Sequence, residues 1–249
     1  MNNVEKISKE LKKILKKNAP VLTDVQKTRI YKILNPDIED YVIYGIKFAL
    51  LEQKVKSTFN AFSCSYKEAI EIFKIMIRTN IEEEKFAGLH FLNNFKKLFS
   101  SETIDLFRNE YAQYCHTWSL CDSTCVRVLG PFLSKKGNES LAKKTVDEWS
   151  NSESMWIRRA SMVILLKLTM IKKDFDESYV FEIVEKMLKY SEQPYIEKCI
   201  GWLLKTCSKY KPELIYNYLM NNKETFPRLI LRYASEKLPK ERRVFILKK

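Results

Sequence analysis

The stretch His116-Thr-Trp-Ser-Leu-Cys-Asp122-Ser-Thr-Cys125 gathers side chains that could do chemistry. On a helix, Trp118 and Asp122 stand one turn apart on the same face, so an indole and a carboxylate point together. If that face lines a basic groove, the carboxylate is a functional candidate, because it repels the phosphates that lysines attract. The spacing fits a structural role equally well, with Trp118 anchoring a core and Asp122 paired with an arginine such as Arg159. Trp202 follows Gly201, a residue that allows close backbone or helix approach in mid-helix. A large aromatic there packs a core or, taken with Trp118, makes a cleft that holds a cation on its ring faces.

Cys115, His116, Cys121 and Cys125 do not read as a zinc site. Structural sites favour closely spaced cysteine knuckles in loops, whereas this stretch reads as continuous helix. The four-cysteine spacing of an iron–sulfur enzyme is missing, and His90 and His116 lack a Ser or Cys nucleophile at recognisable spacing. No metal or cofactor is expected.

The elements that would position these groups read as helices. Five glycines and seven prolines in 249 residues are few for a sheet-rich fold with many turns. Pro36, Pro194 and Pro212 sit ahead of apolar-periodic runs, and Ser/Thr/Asn/Asp clusters at 23–24, 100–103 and 150–154 can cap helices. Aligning Trp118, Trp156 and Tyr195 gives steps of 38 and 39 residues. A similar apolar helix follows each, at 121–133, 158–168 and 197–207. Units of about 40 residues with two helices have the size of HEAT-type repeats. The expectation is an all-α, HEAT-like helical-repeat solenoid with a concave basic groove. It forms a single domain over 1–249, with N-terminal capping helices at 1–35, repeats at 36–240 and a basic tail at 241–249.

A formal net charge of +13 favours a polyanionic partner, nucleic acid first. Candidate phosphate contacts are Lys47, Arg127, Arg158, Arg159, Lys198, Arg228, Arg232, Lys237, Arg242 and Arg243. The same surplus also suits a plain solubility charge, and any one of these residues alone reads as a solvated surface group. No apolar run approaches the roughly 18 residues of a membrane span, and six cysteines scattered through apolar stretches read as reduced, buried thiols. A monomer in the cytoplasm, with no membrane contact, is expected.

Four segments carry a family resemblance: Glu84-Lys-Phe-Ala-Gly-Leu, Trp118-x-x-x-Asp122, Trp156-Ile-Arg-Arg159-Ala, and Glu197-Lys-Cys-Ile-Gly-Trp202 with Lys211-Pro-Glu-Leu behind it. Together with Tyr44-Gly-Ile-Lys47 they resemble, in order over roughly 40–240, the AlkD family of HEAT-like alkylpurine DNA glycosylases. The resemblance implies that Asp122 is the catalytic aspartate, Trp118 and Trp202 the cleft tryptophans, and Arg159 the site arginine. A tyrosine that some members place before the Gly-Ile element has Tyr41 and Tyr31 as candidates.

The implied reaction is base excision repair of duplex DNA carrying N3- or N7-alkylated purines. The base is already cationic, so it leaves neutral without a general acid while the sugar gains oxocarbenium character. Asp122 would stabilise that cation and orient water, the indoles would embrace the cationic nucleotide, and Arg159 would hold a phosphate or Asp122. Two other classes stand beside this one. A DNA-binding homologue without base release would read distorted or branched duplex, and a protein–protein HEAT scaffold would show an apolar concave stripe instead.

Overall fold

Helices begin where the sequence supplies caps. In the computed structural model, which describes residues 2–248, Asn2 and Thr23 form capping boxes at the starts of α1 (Asn3–Asn18) and α2 (Asp24–Leu34). Ser65 does the same for α4 (Tyr66–Ile77), which follows α3 (Phe48–Ala61). Then come α5 (Glu82–Asn93), α6 (Ser101–Leu106), a π-helical turn at Phe107–Tyr111, α7 (Ala112–Tyr114) and α8 (Trp118–Thr124). Lys249, the last residue of the basic tail expected at 241–249, lies outside the described residues, as does Met1.

By internal packing the chain divides into two units, 1–124 and 125–249. In the first, Ile7, Leu11 and Leu15 of α1 recur at helical spacing and bury against α3 and α4. Ile72, Phe73 and Met76 make the buried face of α4, which packs on α5. α2 is different, for none of its residues is fully buried. It ends at Asn35 in the left-handed region (φ 43°). Pro36 therefore does not open a helix, contrary to the sequence reading; it follows a helix end, where its ring blocks continuation.

The second unit starts with a π-helical turn at Cys125–Leu129 and α9 (Gly130–Leu133). Three helix pairs follow: α10 (Glu139–Ser150) with α11 (Met155–Lys172), α12 (Glu177–Leu188) with α13 (Pro194–Cys207), and α14 (Pro212–Asn221) with α15 (Arg228–Ala234). A short 3-10 turn and α16 (Lys240–Leu247) complete it. Pro194 and Pro212 do occupy first helical positions. α11, α13 and α15 pack one on the next, so the pairs stack as repeats. Gly201 serves that stacking, because a Cβ there would lie 2.6 Å from Cβ of Tyr233 on α15. Among the described residues there is no strand, only an isolated bridge between Val42 and Ile81. The chain is thus all-helical and built of repeats.

The alignment of Trp118, Trp156 and Tyr195 matches the helix starts, since each falls in the first turn of α8, α11 or α13. All six cysteines are free thiols; five are buried, while Cys64 is half-exposed in the turn before α4.

Candidate active site

α8 carries the two residues singled out by spacing. Thr117 caps it: Leu120 N donates to Thr117 Oγ1 at 3.2 Å, and Cys121 N to the Thr117 carbonyl at 3.2 Å. Residues 115–117 are therefore outside the helix, which corrects the reading of 115–125 as continuous helix. Trp118 is the first residue of α8 and Asp122 its fifth, both half-buried. The Trp118 indole N–H donates to the Ile33 carbonyl at the end of α2, at 2.9 Å. That bond fixes the ring by its edge and uses no ring face.

What holds this helix start is a set of buried ionisable groups. Glu82, Glu83, Glu84 and Lys85 follow one another in the first turn of α5, and all four are buried, Glu82 to 4% and Lys85 to 0% exposure. A run of four charges ordinarily faces water. Here each has a partner. Glu83 accepts from three successive backbone N–H groups, Tyr44 (2.9 Å), Gly45 (2.7 Å) and Ile46 (3.2 Å). Gly45 permits this wrap because it sits at φ +81°, where other residues are strained. Glu84 accepts from the Tyr44 hydroxyl (3.4 Å) and pairs with Lys12 of α1 at 3.5 Å.

Glu82 and Lys85 reach the segment ahead of α8. Thr117 Oγ1 donates to Glu82 Oε1 and Oε2 at 3.0 and 3.2 Å, and the buried Tyr41 hydroxyl donates to the same carboxylate. Lys85 Nζ donates to the carbonyls of Ile77 and Tyr114, each at 2.8 Å. His116 adds a third tie, its Nδ1 2.8 Å from Asp37 Oδ1, while Asp37 N donates to the His116 carbonyl at 3.1 Å.

The electrostatic consequences follow from burial. Desolvation raises the Glu82 carboxyl to about 7 against the pull of its Tyr41 and Thr117 hydrogen bonds. Desolvation lowers the Lys85 ammonium to about 8. The Tyr41 phenol is raised by burial and by Glu82, and the His116 imidazole is lowered by burial.

Of the tyrosines weighed for the cleft, Tyr41 is buried on Glu82, and the half-buried Tyr31 donates to the Tyr41 carbonyl at 2.7 Å. Sequence reasoning gave no role to Glu82, Lys85 or Thr117, and weighed Tyr41 only as a cleft wall. The only available signal was the quoted Glu84-Lys segment, which begins two residues after Glu82.

In the second unit, Arg159, Lys198 and Arg232 are each the fifth residue of α11, α13 and α15. Those helices pack in succession, and Lys198 and Arg232 both act on the half-buried Glu197. Lys198 and Arg232 are exposed, whereas Arg159 is buried and its Nη1 donates to the Tyr195 carbonyl. Trp202 is half-buried, two turns beyond the start of α13 at Pro194 and one turn beyond Lys198.

Arg158 is placed unlike a phosphate contact. Its guanidinium is buried, donates to the carbonyls of Ser152 (2.6 Å) and Glu153 (2.9 Å) and to Gln193 (3.1 Å), and lies 4.1 Å over the Tyr190 ring. Arg228, Lys237, Arg127 and, in the first unit, Lys47 are exposed. Arg228 also donates to the Leu247 carbonyl at 3.1 Å. Arg242 pairs with Glu213 at 2.7 Å, and Arg243 is half-buried. Among the described residues no cluster of three or more His, Cys, Asp or Glu is arranged to hold a metal ion.

Comparison with known proteins bears on this arrangement. A family model described as DNA alkylation repair enzyme matches residues 5–238. A solved structure described as a predicted DNA alkylation repair enzyme from Enterococcus faecalis superposes with a TM-score of 0.71. It shares 16% identity and covers 89% of this chain and 99% of its own, so the likeness establishes a common fold. No protein with a curated description matches.

Proposed function

This chain belongs to the DNA alkylation repair enzyme family, and from that premise we propose that it is a monofunctional DNA glycosylase. Its substrates are positively charged N3- and N7-alkylated purines in duplex DNA, and the bond it hydrolyses is the N-glycosidic bond. One observation carries the reading: a half-exposed carboxylate, Asp122, stands one turn from a half-exposed indole, Trp118, on a helix whose start is tied down by buried hydrogen bonds.

The chemistry needs little more. The C1′–N9 electron pair leaves with the cationic purine, which becomes neutral, so no side chain has to donate a proton to it. Positive charge then grows on the sugar, and a carboxylate beside it is stabilising in a site shielded from bulk water. Asp122 supplies that charge and directs the water that attacks C1′. Trp118, held by its N–H edge, offers a ring face to the cationic nucleotide. From the second unit we assign Trp202 a like role, while Arg159, buried with its Nη1 on the Tyr195 carbonyl, is set like Arg158 and is assigned no phosphate.

Lys198 and Arg232, with Lys47, Arg127, Arg228, Lys237, Arg242 and Arg243, are assigned to the phosphates of a concave, HEAT-like groove. The protein acts as a monomer in the cytoplasm in this reading.

The test is free-base release from DNA containing N7-methylguanine and N3-methyladenine. The wild type releases base; Asp122→Asn loses nearly all release yet binds DNA as before. Equal release by both proteins removes Asp122 from the reaction.

A further inference from the structure

Glu82 is buried in the first unit and touches no position proposed to meet substrate, yet it is tied to both sides of α8's start. Its carboxylate accepts from Thr117 Oγ1, and that same oxygen accepts from Leu120 N to cap α8. Through Tyr41, whose carbonyl takes the Tyr31 hydroxyl, it also connects to α2, whose Ile33 carbonyl holds the Trp118 indole. We propose that Glu82 is a positioning residue: acting through Thr117, it sets the first turn of the helix that presents Trp118 and Asp122. This rests on the glycosylase reading of that helix.

The hydrogen-bond logic gives the reason. A hydroxyl has one proton to donate. While Glu82 is ionised, it takes the Thr117 proton, which leaves the Thr117 oxygen turned to the Leu120 amide. A protonated Glu82 competes as a donor, and the cap loses its orientation. The groups facing Glu82 are Tyr41 from the 41–47 loop, Cys115 and Thr117 ahead of α8, and Glu83 and Lys85 on its own helix. Asp37 acts on Lys85 and pairs with His116. A cavity of about 250 Å³ is bordered by Glu82, Glu83 and Ser119. With the carboxyl raised to about 7 by burial, the switch falls near neutrality.

The experiment compares wild type, Glu82→Gln, Thr117→Val and Thr117→Ser by two readouts. The first is single-turnover release of N7-methylguanine at saturating protein across pH. In the wild type the rate should fall as pH drops through about 7. Glu82→Gln and Thr117→Val should be roughly ten- to a hundredfold slower at alkaline pH, should lack that fall, and should keep DNA affinity. Thr117→Ser, which retains the hydroxyl, should recover most of the rate.

The second readout is amide hydrogen exchange over Trp118–Thr124, expected to be faster in Glu82→Gln and Thr117→Val than in wild type. Persistence of the pH limb in Glu82→Gln, or unchanged exchange in both variants, overturns the positioning role. If the wild type releases no base, the glycosylase reading falls, and the exchange measurement still decides whether Glu82 sets the helix start.

Discussion

In the first unit α8 begins at a threonine held by a buried carboxylate, beside a buried lysine that donates to the Tyr114 carbonyl. In the second, α11 and α13 carry Trp156 and Tyr195 in their first turns, the rings 4.9 Å apart, and their charges emerge later in the helix at a constant register. The two arrangements position helices by different physics. Ring packing is non-directional and tolerates small rotations, which suffices if exposed Lys198 and Arg232, as proposed above, need only approach a phosphate. Hydrogen bonds to buried ions are directional and leave little freedom, at the cost of desolvating charge. Asp122, in the role proposed above, has to meet one reacting carbon and so needs the second kind.

The largest effect that would break this contrast is expected at Lys85. Lys85→Met leaves the Ile77 and Tyr114 carbonyls buried without their donor. Each such loss costs about 1–3 kcal/mol, so with two carbonyls chemical denaturation should show roughly 2 kcal/mol or more of lost stability. A loss below about 1 kcal/mol would mean that the buried run Glu82 to Lys85 is not what holds the first unit together.

A smaller effect, in pH, sharpens it. The unfolded Glu82 has an ordinary pKa of 4.5, and the folded one about 7. The folded state therefore keeps a proton that the unfolded state has released, and stability from this group is full below 4.5 and lost as pH rises through 7. Lys85 has the opposite sign: its folded pKa of about 8 lies below 10.5, so its contribution is lost as pH falls through 8. The pair is costliest between those two values, where both groups are charged. Denaturation from about pH 5 to pH 7.5 should show the wild type losing stability relative to Glu82→Gln. Parallel curves would remove the buried titration.

The smallest effect on stability belongs to the second unit. Lys198→Gln and Arg232→Gln should each change unfolding free energy by less than about 0.5 kcal/mol. Each should nevertheless lower the slope of log affinity for duplex DNA against log salt by about one. An unchanged slope takes that residue off the phosphates.

Several features were legible because they depend on local rules. Trp118 and Asp122 share a helix face four residues apart, Pro194 and Pro212 open helices, and the Trp118, Trp156 and Tyr195 register marks helix starts. The close approach at Gly201 was legible too, since a mid-helix glycine has few other uses. The buried run was not. Glu82, Glu83, Glu84 and Lys85 form a run that local rules place in water, and only tertiary contacts, with α1, α4, the 41–47 loop and the 114–117 segment, bury it. Arg158 and Arg159 are neighbours in sequence and both read as groove cations, yet each ends on backbone carbonyls.

The sequence by itself determined an all-helical chain of stacked pairs, a strong positive charge, and the pairing of an indole with a carboxylate. These follow from periodicity, capping and composition, which act over a few residues. Only the tertiary structure decided where α8 starts and what holds it, because a carboxylate at 82 meets a hydroxyl at 117 through the fold alone. The partners of a buried charge are chosen by three-dimensional proximity, and no local pattern encodes that distance.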